Sequence, residues 1–227
     1  MSVNILKPEI HAIIFDLDDT LIDSERIYET LYKELALDET VFKEARQVVK
    51  STLSPNHVAA RNRLLYFKKY LELKQQFSVE TLLRLVSVYE ERMQVLIEAN
   101  LTVTGHRTLL KKLAARFRLG IVTNENLRTQ MLKISMIDPH QDLFSFILTS
   151  EEIGVEKPDP AIIDRAILLS QASPKNIVAI GDSINKDLLS FQKKGCSVIG
   201  TRQFRDESSS QSNNLVWVNR LDEILVE

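Results

Sequence analysis

At 227 residues, 44% hydrophobic and 26% charged, the chain has the composition of an ordinary globular protein long enough to bury a substantial core. A net charge of −2 gives no electrostatic case for nucleic acid or a membrane surface as partner. The single cysteine, Cys196, excludes an intrachain disulfide. No basic-then-apolar leader opens the chain and no stretch approaches the roughly 18 apolar residues of a membrane span, so the expectation is a cytoplasmic protein.

The first element is the apolar run Ile13-Ile14-Phe15, which reads as a strand buried on both faces. It ends in Asp16-Leu17-Asp18-Asp19-Thr20. Carboxylates so close repel one another, and strand formation does not ask for them. A helix cap would account for Asp19 and Thr20. It leaves Asp16 and Asp18 unexplained, whereas a divalent cation or a transferring phosphoryl group would explain them. Ligands in open α/β sheets bind just beyond the carboxyl ends of the strands, where these acids fall.

From residue 24 to 100 there is no glycine and one proline, Pro55, the composition of packed helices. The pattern predicts helices over 24–37 and 39–51, a third opening at Ser54-Pro55, and a fourth capped by Ser78. In the fourth, Leu82, Val86, Tyr89, Met93, Leu96 and Ile97 form one apolar stripe, read as core. All six glycines lie after residue 104, where the pattern changes to alternating helix and strand. Leu109, Leu110, Leu113, Ala114 and Phe117 give a helical face, followed by strands at 119–122 and 146–148. Asp159-Pro160 opens a helix; 177–180 is a strand; a helix then ends at Gly195; strands follow at 197–199 and 215–218. The polar, serine-rich 205–214 reads as a mobile loop. Alternation of this kind implies βαβ units: an α/β fold with a parallel sheet covered on both faces. The expected organisation is a Rossmann-like core, 1–23 with 101–227, carrying an all-helical insert, 24–100.

If the sheet is parallel, four groups gather at one edge: Asp16 with Asp18, Thr123 with Asn124, Lys157, and Asp182 with Asp187. The set DLDDTL, IVTN, GVEKPDP and GDSINKD resembles, in order, the four signature motifs of the haloacid dehalogenase superfamily. The match covers about 10–21 and 103–200. The resemblance implies a sheet order of 5-4-1-2-3 and makes the insert similar to that family's C1-type cap, which closes over the site and shapes substrate choice. It further implies a Mg²⁺-dependent phosphatase for a small phosphorylated metabolite. Asp16 would be the nucleophile that forms an aspartyl phosphate, and Asp18 the acid and base. The Asp16 carboxylate, the Asp18 backbone carbonyl and Asp182 would hold Mg²⁺. Thr123, the Asn124 backbone amide and Lys157 would bind the phosphoryl group, with Asp187 supporting through a metal-bound water or by holding Lys157.

Two positions depart from the family pattern: Asp19 stands where many members have glycine, and Lys186 where many have asparagine. The family's dehalogenases lack the second aspartate of the first motif, so Asp18 argues against dehalogenation. Alternatives are a phosphomutase using the same intermediate, a signalling receiver domain, which is about half this length and lacks such an insert, or a phospho-acceptor binding protein without turnover. Other residues have plainer readings. His11, His57, His106 and His140 lack metal-ligand spacing and read as surface or packing residues. Arg61, Arg63, Lys68 and Lys69 read as a solvated face of the third cap helix, with the sharper possibility that one arginine reaches a substrate anion. Cys196 reads as inert. The insert joins the rest of the chain near 21–24 and 100–105, so it is expected to move as a lid.

Overall fold

The computed structural model describes residues 3–4, 9–54, 57–205 and 215–225. Strands β1 (Val3–Asn4) and β2 (Ala12–Phe15) precede four helices, α1 (Ser24–Glu34), α2 (Glu39–Thr52), α3 (Arg63–Leu73) and α4 (Val79–Thr104). Then come α5 (His106–Ala114), β3 (Arg118–Thr123), α6 (Leu127–Ile137), β4 (Phe144–Thr149), α7 (Ser150–Ile153) and α8 (Pro160–Ser170). The chain closes with β5 (Ile177–Gly181), α9 (Leu189–Gln192), β6 (Ser197–Thr201), β7 (Val216–Val218) and β8 (Ile224–Leu225).

Six strands form one parallel sheet in the order β4-β3-β2-β5-β6-β7, while β1 and β8 pair separately. Counted from β2, this is the expected 5-4-1-2-3 order with β7 added beyond β6. All four residues of β2 are buried. Its alternating side chains divide between two cores: Ile13 and Phe15 join one apolar cluster, Ala12 and Ile14 the other. The first of these clusters continues into the helical insert through Tyr28, Leu31, Phe42, Phe67, Tyr89 and Met93. The stripe on α4 is core as expected, with Phe67 and Tyr89 in edge-to-face contact at 5.0 Å. No helix among the described residues is long and apolar enough to cross a membrane.

The helices depart from expectation in several places. The third helix of the insert does not open at Ser54-Pro55; Pro55 lies outside the described residues and α3 begins at Arg63. Residues Val58–Arg61 wind into a tighter turn capped by His57, and the chain enters the α-helix only where Asn62 accepts from the Leu64 amide. The second link to the insert, expected near 100–105, falls at the end of a helix. Helix α4 runs unbroken to Thr104 and stops at Gly105, whose φ of +68° is the left-handed conformation that terminates helices. Helix α6 went unread, although Asn126 caps it by accepting from the Thr129 amide. The helix expected to end at Gly195 is split into a π-turn, Ile184–Leu188, and the short α9. Of the polar loop, 206–214 lies outside the described residues.

Candidate active site

The parallel register brings the carboxyl ends of β2, β3 and β5 level, with Phe15 opposite Ile121 and Ile180. Asp16 extends that register by donating its amide to the Ile180 carbonyl at 2.9 Å. Beyond it the chain turns sharply through Asp19, at φ +59°. This explains the family's frequent glycine at that place. Aspartate tolerates the conformation, and here its Oδ1 also accepts from the Glu25 amide at 2.9 Å.

The structure brings the expected residues together around Lys157. Its ammonium donates to Asp16 Oδ1, Asp187 Oδ1 and the Val122 carbonyl, each at 2.7 Å, so all three protons are used. Lys157 is held by Asn124, whose Nδ2 donates to the Lys157 carbonyl at 2.9 Å and whose Oδ1 accepts from the Lys157 amide at 2.7 Å. The Asn124 side chain therefore positions the lysine, and only its backbone faces the role expected of it. Thr123 is fully buried; its hydroxyl accepts from Gln130 Nε2 at 2.9 Å, which leaves its own proton to donate. Thr20 donates to Asp16 Oδ2 at 3.2 Å.

Asp16, Asp182 and Asp187 are all buried, with carboxylate oxygens within 4.8 Å of one another. The π-turn folds Asp187 back over Gly181, where Ser183 donates its amide to Oδ2 at 3.1 Å. Lys186, in the asparagine position, is exposed at the rim of the cleft. A Cβ on Gly181 would lie 2.4 Å from the Asp187 Cβ. Gly181→Ala is therefore expected to displace Asp187 and to destabilise the protein by about 1–3 kcal/mol, as overpacking does. Thermal melting reads this directly; a wild-type Tm would contradict the close approach.

Burial pushes the Asp16 carboxyl up; Lys157 opposes this, and Asp187, Asp182 and Asp18 push it further up. Burial works against the Lys157 ammonium too, but Asp16 and Asp187 beside it hold its pKa above the ordinary range. Burial and the like charges of Asp187 and Asp19 raise Asp182 to about 7. Carboxylates crowded without enough positive charge are what a hard divalent cation with oxygen ligands would relieve, so the residues fit Mg²⁺. The converging acids are Asp16, Asp182 and Asp187. The Asp18 side chain turns elsewhere, onto Lys133 and Gln130, and only its backbone carbonyl is left for a metal.

Sequence reasoning missed what Asp18 touches. Its carboxylate accepts from the Lys133 ammonium, from Ser24 Oγ, and from Gln130 Nε2 at 2.7 Å. Burial alone would raise its pKa, but the charge of Lys133 and these hydrogen bonds hold it well below the usual carboxylate range. Gln130 and Lys133 lie three apart on one face of α6, and both are buried. Two core–insert contacts were also missed. Arg61 pairs with Glu156 at 3.0 and 3.2 Å, and Arg63 pairs with Glu125. The basic patch is thus divided: Arg61 and Arg63 line the cleft, while Lys68 and Lys69 pair with Glu72 on the outside. Arg205 reaches Asp182 at 3.4 Å and Asp19 at 3.5 Å. Among the described residues the cluster of possible metal ligands contains no histidine: His11, His57 and His140 are exposed, and His106 is buried with Nδ1 2.8 Å from the Leu21 carbonyl oxygen. Cys196 is buried and its thiol is pushed up to about 11, which suits an inert residue.

Known proteins resemble the chain in sequence and in fold. The chain is 32% identical to the phosphoglycolate phosphatase of Psychrobacter arcticus over 197 residues, covering 83% of this chain and 81% of that protein. It is 26% identical to the glyceraldehyde 3-phosphate phosphatase of Methanopyrus kandleri over 217 residues, covering 90% of this chain and 89% of that protein. The fold is that of the crystal structure of 2-haloacid dehalogenase from Pseudomonas syringae pv. Tomato, with TM-score 0.63 at 23% identity over 94% of this chain and 96% of that one. The model of the haloacid dehalogenase-like hydrolases matches residues 10–195, and the chain belongs to that family.

Proposed function

We propose that the chain is a Mg²⁺-dependent phosphomonoester hydrolase that acts on a small phosphorylated metabolite through an aspartyl phosphate on Asp16. The observation that carries this reading is the buried Lys157 ammonium bonded to both Asp16 and Asp187 beside the Thr123 hydroxyl. The ammonium sets a fixed positive charge next to a carboxylate nucleophile, and Mg²⁺ would supply the further charge that a dianionic phosphoryl group needs among these acids. The two phosphatases named above support the same reaction class.

In this reading an Asp16 oxygen attacks phosphorus, the bond from phosphorus to the ester oxygen breaks, and Asp18 gives the departing alkoxide a proton. Water then attacks the same phosphorus, the bond to Asp16 breaks, and Asp18 takes the water's proton. Inorganic phosphate leaves, and both aspartates return to their starting states. Thr123 Oγ1 and the Asn124 amide hold the phosphoryl oxygens, Lys157 turns the proton it gives Asp16 toward them, and Asp187 keeps Lys157 in place. Mg²⁺ held by Asp16, the Asp18 carbonyl and Asp182, with Asp187 alongside, would supply positive charge against the phosphoryl oxygens. Residues 24–100 act as the cap and 1–23 with 101–227 as the catalytic core. The Arg61–Glu156 and Arg63–Glu125 pairs hold the cap against the core, where it excludes water from Asp16. A cytoplasmic location belongs to the same reading.

Phosphate release from a panel of phosphorylated metabolites tests the reading. Release that requires Mg²⁺ and stops with a chelator is expected; release from none of them, or release indifferent to the chelator, contradicts it. The metal site also predicts a pH dependence. The folded chain keeps Asp182 protonated up to about pH 7, while an ordinary aspartate ionises near 3.8. Ionising Asp182 therefore works against the metal-free fold, whose stability falls as pH rises through that window. Mg²⁺ should raise Tm more one unit above the Asp182 pKa than one unit below it. A shift independent of pH would remove Asp182 from the metal's ligands.

A further inference from the structure

The catalytic cleft, of about 300 Å³, adjoins a second cavity of about 810 Å³ between α1 and α2. Glu25, Tyr28, Arg46 and Arg63 line both spaces, which meet there. A two- or three-carbon phosphate would be accommodated by the volume of the cleft alone and would leave the larger space unused. The walls of that space are chemically specific. On α2, Lys43, Arg46, Gln47 and Lys50 recur at the spacing of one helical face, and all four line it. Among the described residues no carboxylate pairs with Lys43, Arg46 or Lys50, whereas Arg61 and Arg63 are neutralised by Glu156 and Glu125. Five basic side chains line the space against three acidic ones. One of those acids, Glu25, is taken up by Arg205 at 3.2 Å. The crowding is felt electrostatically: burial and the like charges of Arg46, Arg61 and Arg63 lower the Lys50 pKa.

The junction adds an independent sign of a ligand. Tyr28 is nine-tenths buried, and its hydroxyl has no hydrogen-bond partner; Arg63 Nε is buried beside it, also without one. Buried donors without acceptors are costly, and both belong to residues that line the two cavities where they meet.

We propose that the second cavity is a substrate subsite, and that the natural substrate is a phosphorylated sugar acid whose carboxylate, at the end remote from the phosphate, is bound by Arg46 and Lys50. Hydroxyl oxygens along the carbon chain meet Arg63 Nε and the Tyr28 hydroxyl at the junction. The aromatic floor of Tyr28, Tyr32 and Phe42 packs against the carbon chain. This rests on the hydrolase reading for the phosphoryl end only, so its test is separated from turnover.

The test is binding to the Asp16→Asn protein with Mg²⁺ present, measured calorimetrically with 6-phosphogluconate and with sorbitol 6-phosphate. These probes have the same chain length and phosphate and differ by a terminal carboxylate against a terminal alcohol. The subsite predicts tighter binding of 6-phosphogluconate by about tenfold to a hundredfold, the range of a charge-assisted contact. Adding Arg46→Gln and Lys50→Gln together should collapse that ratio toward one. Equal affinities in the parent protein, or a ratio that survives the double substitution, would overturn the subsite. Hydrolysis of p-nitrophenyl phosphate by the wild-type protein is measured separately. Its absence alongside a preserved affinity ratio would sink the hydrolase reading and leave the subsite standing.

Discussion

Asp16→Asn is expected to leave a folded protein that releases no phosphate from any phosphomonoester. The amide is nearly isosteric with the carboxylate but is too weak a nucleophile for phosphorus. Losses on the order of 10⁴ or more accompany removal of a covalent nucleophile. The change also removes one of the two carboxylates bonded to the Lys157 ammonium, leaving Asp187 as its counter-charge. Because Burial, Asp187, Asp182 and Asp18 all push the Asp16 carboxyl up, a neutral side chain there relieves repulsion, and Tm should hold or rise. Turnover close to wild type in this variant would sink the covalent mechanism. A large fall in Tm would mean that Asp16 is chiefly a structural partner of Lys157.

Asp18→Asn should separate substrates by how badly their leaving groups need a proton. Alkyl and sugar alkoxides need one strongly, whereas p-nitrophenolate scarcely does. General acid–base catalysis contributes about a hundredfold to ten-thousandfold, so alkyl phosphates should slow by that much at the first step. With p-nitrophenyl phosphate the first step survives and water attack becomes limiting. Rapid mixing should then show a burst of p-nitrophenol near one equivalent per site, followed by slow turnover. No burst, with equal losses on both substrate types, would assign Asp18 to placing the metal. The bonds from Lys133, Ser24 and Gln130 keep Asp18 ionised, the form needed to take a proton from water. The first step asks the opposite of it, so the mechanism requires the Lys133 contact to reorganise as the leaving group arrives. Lys133 itself is 2% exposed, and Asp18→Asn leaves its charge without a carboxylate. A stability loss of a few kcal/mol (roughly 3–5 when one partner of a buried pair is removed) is expected alongside the kinetic effect. Lys133→Met in the same chain should recover part of that Tm without restoring the alkyl phosphatase rate.

The strands and their motifs were legible because β2, β3 and β5 are buried runs whose chemistry begins where the apolar residues stop. Asp16, Thr123 and Asp182 each follow from that rule. Lys157 was legible as chemistry, but the Asn124 side-chain clamp on its backbone was not: contacts 33 residues apart leave no local pattern. Helix α6 was missed because its inward face mixes Gln130 and Lys133 with Ile134 and Ile137, which blurs the apolar period. Its cap at Asn126 was the one local signal available. That Lys133 points inward is decided by Asp18, far away in sequence, and no periodicity could show it. Arg61 and Arg63 read as a solvated face because their partners, Glu156 and Glu125, lie on loops that only the fold brings near. The start of α3 was misplaced because proline marks where a helix can begin, while Asn62 supplied a competing cap further on.

The most direct test of the central claim is chemical trapping of the intermediate. Wild-type protein mixed with Mg²⁺ and p-nitrophenyl phosphate is quenched during turnover, reduced with borohydride and mapped by peptide mass spectrometry. Borohydride converts an acyl phosphate to the corresponding alcohol, so a phosphorylated aspartate becomes homoserine. Conversion at position 16, absent without substrate, is the predicted result. Phosphate release with Asp16 unmodified, or with conversion at Asp18, Asp182 or Asp187 instead, would contradict the assignment of the nucleophile.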